Sequence, residues 1–475
     1  MKLPLWVRAL DAAAVFALVL TGTVFLFGGF AIYFTLSPVR IHSTGRLLFV
    51  ALALLAVRHA AHPAMPLHRR LSGWLRGSHE RPALNAAAFG LSSRVAVLFV
   101  AYMAVVTIGV NVATTGFVVS RDKLSNLPAR FDAGWYGGIA LDGYYFGGDF
   151  KHQQNIAFFP AFPMLMRAVG YPIGAFGPGM PPEKRMVRLL WGGVFISLAA
   201  FGWASAYLWR LTRDIAGEAS ATGAVALLAA YPFSLYFSAP YTEALFLLGA
   251  VAAVFHFRRD QWVVAGLWGA LVGLTRPNGC FLSVVLAAIL AERLWRDRHT
   301  STSPHLHILK IFKSLASAAM PGLGMLAYSA YVHQVTGRWF GWARLHEAAW
   351  GRAYEGLAPV ERAYGWITDE GLFHVIEGVP YDTLNSLGLV FALLMLWPVL
   401  KRLGPALALF IVINAVPPML AGGVLSIGRL SSTLFPAFIA LAAMSSPRMT
   451  QALITAFAIG QGLAVAIFFT WRPLF

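Results

Sequence analysis

Residues 95–119, VAVLFVAYMAVVTIGVNVATTGFVV, decide what kind of chain this is. No charged side chain interrupts them, and they exceed the about 20 residues that cross a bilayer's hydrocarbon as a helix. Similar apolar segments recur at 10–36, 46–57, 188–209, 218–236, 240–257, 262–275, 279–294, 311–333, 384–400, 405–421, 428–444 and 451–470. That is about thirteen spans, and it defines an all-α polytopic membrane protein. Composition agrees, with 58% hydrophobic and only 12% charged residues, where soluble domains carry roughly a quarter charged. The 26 prolines and 45 glycines suit broken or kinked membrane helices better than barrel strands. Lys2 and Arg8 precede a first segment too long for a cleaved leader, which reads as an uncleaved span.

The formal charge of +17 would suggest nucleic acid in a soluble chain. Here the basic residues cluster between apolar runs, where they set orientation and meet anionic headgroups, so no nucleic-acid partner is expected. Arg58, Arg69, Arg70, Arg76 and Arg81 fall in one connection. Arg210 with Arg213, Arg258 with Arg259, Arg296 with Arg298, and Lys401 with Arg402 fall in alternate later ones. These connections are expected to be cytoplasmic, with the N-terminus inside and the C-terminus outside. The two longest loops, 120–187 and 334–383, then face outward and hold more than half of the 20 acidic residues. Loops of that length in a compact protein are usually functional. The single Cys280 excludes an intrachain disulfide. Residues 1–94 read as an extra helix pair with a basic cytoplasmic connection, and 95–475 as the main membrane domain.

Within the first long loop, Arg130-Phe131-Asp132 and Trp135-Tyr136 put a carboxylate beside a guanidinium and two aromatics. Such a carboxylate can act as a general base toward an acceptor hydroxyl, with the aromatics stacking on a sugar or packing on lipid. The alternative is an interfacial salt bridge capping a juxtamembrane helix. Trp135, Tyr136, Ile139, Tyr144, Tyr145 and Phe146 are spaced to present a greasy face to the bilayer surface. Lys151 and His152 are candidates for touching phosphate. Asn155 to Pro163, with three phenylalanines and two prolines, reads on its own chemistry as an aromatic belt.

Three further charges sit at breaks in apolar sequence. Glu243 opens a helix after the tight turn Tyr231–Thr242, where the helix dipole favours a carboxylate, or it lines an outward cavity with Asp132. Arg276 lies in Thr275-Arg276-Pro277-Asn278-Gly279, and Arg429 in Ser426-Ile427-Gly428-Arg429. A guanidinium matches phosphate oxygens and stays charged at low dielectric, although either arginine could simply snorkel to headgroups. No Walker A sequence, dinucleotide glycine pattern or zinc-type cluster occurs, so no metal or cofactor is expected beyond a co-substrate.

In this order the segments resemble the PIG-V family, the second mannosyltransferases of GPI-anchor assembly and their bacterial relatives, in the GT-C class. The likeness is carried by Arg130-Phe131-Asp132 with Trp135-Tyr136, Gly143-Tyr144, Ala157-Phe158-Phe159-Pro160 and Phe237 to Phe246. Thr275 to Gly279, Trp350-Gly351-Arg352 and Gly428-Arg429 with Phe435-Pro436 complete it. Phe131 stands where that family commonly has tryptophan, and about 90 residues precede the acidic motif, which there follows the first span. The resemblance implies a GT-C-like fold and transfer of mannose, with inversion, from a polyprenyl-phosphate donor to a lipid, glycan or protein acceptor. It places that chemistry on the non-cytoplasmic face, of a bacterial plasma membrane for that branch. Asp132 would be the base, and Arg276 and Arg429 would hold the departing phosphate. The rival reading is a transporter or lipid flippase, which should show matched halves and mid-membrane charge. A purely structural scaffold leaves the acidic outer loops unexplained.

Overall fold

A computed structural model describes residues 4–27, 30–34, 37–41, 43–63, 81–297 and 304–474. Lys2, Arg69, Arg70, Arg76 and Arg298 lie outside the described residues. The chain divides into two compact units, Met1–Asn85 with Gly170–Met180, and Ala86–Val169 with Pro181–Phe475.

In the first unit, helices α1 (Leu5–Phe27) and α2 (Thr44–Ala61) are joined by a hairpin of β1 (Phe30–Phe34) and β2 (Ser37–Ile41), with Phe30 opposite Ile41. The segment expected to be helical to 36 stops at Phe27, because the aromatic and β-branched FAIYF run prefers a strand. Arg58, read as a loop charge, instead lies in the last turn of α2. Its Nε donates 2.7 Å to Asp11 Oδ1, and both side chains are buried. A membrane-embedded guanidinium needs such a partner.

The described residues of the second unit form helices joined by irregular loops, with no strand among them. It contains most of α3 (Pro82–Thr107), then α4 (Ala133–Asp142), α5 (Ala161–Gly170), α6 (Pro182–Ala230), α7 (Glu243–Arg258), α8 (Trp262–Gly273) and α9 (Leu282–Asp297). There follow α10 (Pro304–Thr336), α11 (Gly341–Trp350), α12 (Ala358–Glu370), α13 (Leu372–Gly378), α14 (Pro380–Leu403), α15 (Pro405–Leu420), α16 (Ile427–Ser431), α17 (Phe435–Met444) and α18 (Pro447–Phe469). Among the described residues of both units, eight helices are long and apolar enough to span a bilayer. A pair bent by 99°, Pro232–Ser238 with Glu243–Arg258, makes a ninth, and α8, α15 and α17 are shorter apolar helices. The protein is an all-α, multi-pass integral membrane protein.

Several expected boundaries move. The segment set at 95–119 is α3, which begins at Pro82 and ends at Thr107. Segments 188–209 and 218–236 belong to one helix, α6, interrupted at Gly217 with φ 84°. That helix starts at Pro182, so Glu183 belongs to its first turn rather than to a loop.

The bent pair fixes the geometry of the site. Pro232 lacks an N–H, α6 ends before it, and a 3₁₀ turn over Pro232–Ser238 leads to α7. Breaking a helix in hydrocarbon frees backbone carbonyls, which must find donors inside the protein. Gln461 Nε2 donates to Ala229 O at 3.0 Å and Tyr231 O at 2.8 Å. Arg94, fully buried, donates to Ser234 O at 2.6 Å and also to Ala229 O.

Candidate active site

Four charges from four breaks converge. Asp132 sits just before α4, Glu243 in the first turn of α7, Arg276 ahead of the 3₁₀ turn Pro277–Phe281, and Arg429 in the short helix α16. Arg429 Nη1 donates 2.6 Å to Asp132 Oδ2, and its Nε donates to Glu243 Oε1. Arg276 Nη1 lies 3.2 Å from the same Glu243 oxygen. Two carboxylates and two guanidiniums therefore share one cluster, in which Glu243 is wholly enclosed while the Asp132 side chain keeps 30% exposure. Burial works against charge on Arg429, but Glu243 and Asp132 outweigh it and hold its pKa well above the ordinary value.

The cluster is unfinished. Glu243 Oε2 is buried with no hydrogen-bond partner among the described residues, and Arg276 Nη1, ion-paired with Oε1, makes no aligned hydrogen bond there. Native interiors leave few such groups, and an orphan donor on a guanidinium is suited to an incoming anion oxygen.

Backbone strain collects beside these charges. Phe131 (φ 45°) immediately precedes Asp132, and Ser426 (φ 61°) caps the helix that carries Arg429. Non-glycine residues in this region persist only when their surroundings hold them, and they gather at functional sites. The chain's end does this for Phe131, whose ring meets Trp471 at 4.6 Å and Phe468 at 5.4 Å.

Arg130, expected at the site, is instead spent on structure. Its guanidinium donates to Phe469 O at 2.7 Å, Asn126 O at 2.8 Å and Ala129 O at 2.6 Å, not to Asp132. The alternative of an Arg130–Asp132 salt bridge is thereby replaced by the pairing with Arg429. Asp132 is held from behind by Tyr241, whose hydroxyl accepts its backbone N–H at 3.0 Å and donates to Arg130 O at 3.2 Å.

Tyr136 is buried among Phe158, Phe162 and Tyr241, with centroid distances of 5.3, 5.4 and 6.2 Å. Burial pushes its phenol up to about 12. Trp135 stays half-buried, stacked on Phe158 at 5.6 Å and edge-on to Trp350 at 5.9 Å. The greasy face expected to lie on the bilayer is thus turned inward at Tyr136 and Ile139, both buried. Phe158 and Phe159, read as an aromatic belt, are buried as well. Lys151 and His152 do not join the cluster. Both are exposed, and the His152 ring pairs with Asp149 at 3.1 Å.

Two side chains join the neighbourhood without having been singled out for a role. Arg352 donates 2.8 Å to Leu425 O and is lowered to about 10 by burial, then by the positive charge of Arg429. His346 hydrogen-bonds through Nε2 to Ala157 O at 3.1 Å and is lowered to about 4, first by burial and then by Arg352. A carbonyl can only accept, so Nε2 carries a proton. Arg352 was visible only through its place in Trp350-Gly351-Arg352. A lone histidine on a short helix carries no sequence signal of its own.

No curated protein matches the chain at a meaningful level. A family model described as mannosyltransferase (PIG-V) does, over residues 96–350, a stretch that contains Asp132, Glu243, Arg276 and His346. The chain belongs to the PIG-V mannosyltransferase family, and is a membrane glycosyltransferase.

Proposed function

We propose that this protein transfers mannose, with inversion, from a polyprenyl-phosphate carrier to an acceptor hydroxyl on the non-cytoplasmic face. Asp132 is the base. The acceptor oxygen attacks the anomeric carbon as the bond to the phosphate oxygen breaks; the hydroxyl proton passes to Asp132 and polyprenyl phosphate departs. Oδ2 is engaged by Arg429, and Oδ1 has no partner among the described residues, so it is the oxygen available to a proton. Arg276, Arg429 and Arg352 supply fixed positive charge where negative charge develops on the leaving phosphate. The half-open Trp135 ring is suited to stacking on a sugar, and Tyr136 backs it from the interior. Lys151 and His152, which stand clear of the cluster, would meet only a portion of substrate projecting from it. The acceptor class, whether lipid, glycan or protein, is left to assay. No metal or nucleotide enters this scheme.

The observation that carries the proposal is the Asp132–Arg429–Glu243–Arg276 cluster with its unsatisfied guanidinium N–H. Basic residues concentrate at the other end of α7 and on other helices of the unit: Arg213 and Arg259 on Asp214, Arg293 on Asp260, and Lys401 with Arg402. The positive-inside rule assigns that end to the cytoplasm and the cluster to the opposite face. The test supplies purified protein with polyprenyl-phosphate mannose or GDP-mannose and a panel of acceptors. Transfer from the lipid donor is expected; transfer only from the nucleotide donor would overturn the reading. Arg276→Ala and Arg429→Ala are expected to raise KM for the lipid donor, whereas headgroup anchors would leave it unchanged.

A further inference from the structure

An aspartate at the start of a helix ordinarily commits its carboxylate to that helix, accepting first-turn N–H groups from an extended backbone. Asp132 does not. Its φ of −59° and ψ of −17° are helical, and its side chain caps nothing. The first-turn N–H groups are met instead by the main chain just ahead. Ala133 N donates to Arg130 O at 3.0 Å, Gly134 N to Phe131 O at 3.2 Å and Trp135 N to Asp132 O at 3.0 Å. This tight turn satisfies the helix end and leaves the carboxylate to Arg429 and to chemistry. The turn places Phe131 at φ 45°, a conformation that persists only when its surroundings hold it.

Ring packing on Trp471 and Phe468 is one hold on Phe131. The other comes from Tyr241, 109 positions along the chain from Asp132. Its hydroxyl accepts Asp132 N–H at 3.0 Å and donates to Arg130 O at 3.2 Å, so it bridges the residues on either side of Phe131. Tyr241 is itself fixed. It is buried, its N–H donates to Ala239 O at 2.8 Å, its carbonyl accepts Ser197 Oγ at 3.3 Å, and its ring packs on Tyr236 at 5.4 Å. The same ring lies 4.9 Å from the Arg429 guanidinium, and Glu243, in the next turn of chain, accepts Arg429 Nε. One short segment at the helix break thus sets the turn bearing Asp132 and the arginine beside it in a fixed relation.

We propose that Tyr241 is a positioning residue for transfer: its hydroxyl clamps the 130–132 turn, so that the Asp132 carboxylate is withheld from the helix and presented to the acceptor. This rests on Asp132 being the base, as proposed above. The hydroxyl meets neither donor nor acceptor in that scheme and acts only through Asp132.

Tyr241→Phe keeps the ring against Arg429 and removes only the bridging oxygen. The full chain in detergent is supplied with polyprenyl-phosphate mannose and octyl mannoside, or whichever alcohol of the acceptor panel the parent glycosylates. In Tyr241→Phe, kcat is expected to fall about 10–100-fold, the scale of loss that a misplacement near 1 Å produces. KM for the donor should stay at the parent value, because Arg276 and Arg429 keep their places. Added to Asp132→Asn, Tyr241→Phe should slow the residual transfer no further, since groups that act as one unit do not add. An unchanged kcat in Tyr241→Phe would overturn the assignment. So would the same fold loss in the Asp132→Asn background, or a donor KM that rises as far as kcat falls, which would mark a general loss of packing. Full turnover in Asp132→Asn would remove the base itself and the proposal with it, a different failure from a crippled Asp132→Asn beside an indifferent Tyr241→Phe.

Discussion

Arg429 gives one edge of its guanidinium to Asp132 and its Nε to Glu243, so a single side chain sets the position of both carboxylates. Their surroundings separate their roles. Asp132 is partly open and has a free oxygen, while Glu243 is enclosed and touches both Arg429 and Arg276. Asp132→Asn keeps shape and hydrogen bonding to Arg429 but removes the proton acceptor. Transfer is expected to fall by about 10²–10⁴-fold, with donor binding retained; unimpaired turnover would dismiss Asp132 as the base. Glu243→Ala leaves buried Arg276 without its counter-charge and Arg429 with Asp132 alone, a loss on the order of 3–5 kcal/mol. Thermal unfolding in detergent should show that loss well before any assay does. His346 adds a pH effect. Its folded pKa of about 4 lies below that of an unfolded histidine, so the unfolded chain takes up a proton that the folded chain refuses. Stability is therefore fully present above about 6.5 and declines as pH falls toward about 4. His346→Gln should flatten that part of the stability–pH curve; an unchanged slope would show that the ring titrates normally.

Short elements at helix breaks, rather than the long spans, aim the charged groups. The helix carrying Arg429 is five residues long and lies against two other elements at almost no distance. A Cβ on Gly428 would come within 2.2 Å of the Phe233 ring, and one on Gly388 within 2.7 Å of Gly428 Cα. Gly428 N also donates 3.0 Å to Asn385 Oδ1. Replacing a helical glycine by alanine ordinarily stabilises, but here the ring must move and Arg429 with it. Gly428→Ala is expected to cost about 1–3 kcal/mol and to raise KM for the donor, read from unfolding and from saturation curves on one preparation. The elements that were legible in the sequence are those where a charge interrupts hydrocarbon, because that placement is expensive unless used. Asp132, Glu243, Arg276 and Arg429 could each be singled out on that ground. Arg130 misled for the same reason. It is equally costly, yet its partners are carbonyls, one of them 339 positions away, which no local pattern reveals. The amphipathic surface was read only in part. Aromatic spacing pointed to 135–146, where Tyr136 and Ile139 are buried and Tyr145 is exposed, whereas Tyr364, Trp366 and Phe373 in the second long loop are exposed as well. Periodicity identifies a greasy face but not whether protein or lipid covers it.

Across the whole molecule, α7 alone separates the two ends of the main unit, with Glu243 at one and Arg258 at the other. Its 16 residues span about 24 Å, short of the about 30 Å of a bilayer's hydrocarbon core, so it makes a span only with the bent turn Pro232–Ser238. One end gathers acidic groups against arginines in a partly open cluster; the other carries basic side chains, several paired with Asp214 and Asp260. That asymmetry supports the proposed sidedness, on which the donor class able to reach Asp132 depends. The single cysteine makes the orientation measurable. After Cys280→Ala, cysteine is introduced at Tyr145, exposed in the loop that follows α4, or at Arg259, exposed just beyond α7. Intact cells are treated with a membrane-impermeant maleimide, before and after permeabilisation. Tyr145→Cys should react from outside, and Arg259→Cys only once the membrane is opened. The reverse pattern would put Asp132 and Arg429 in the cytosol, where a lipid-linked donor has no advantage, and would redirect the search to nucleotide-activated mannose.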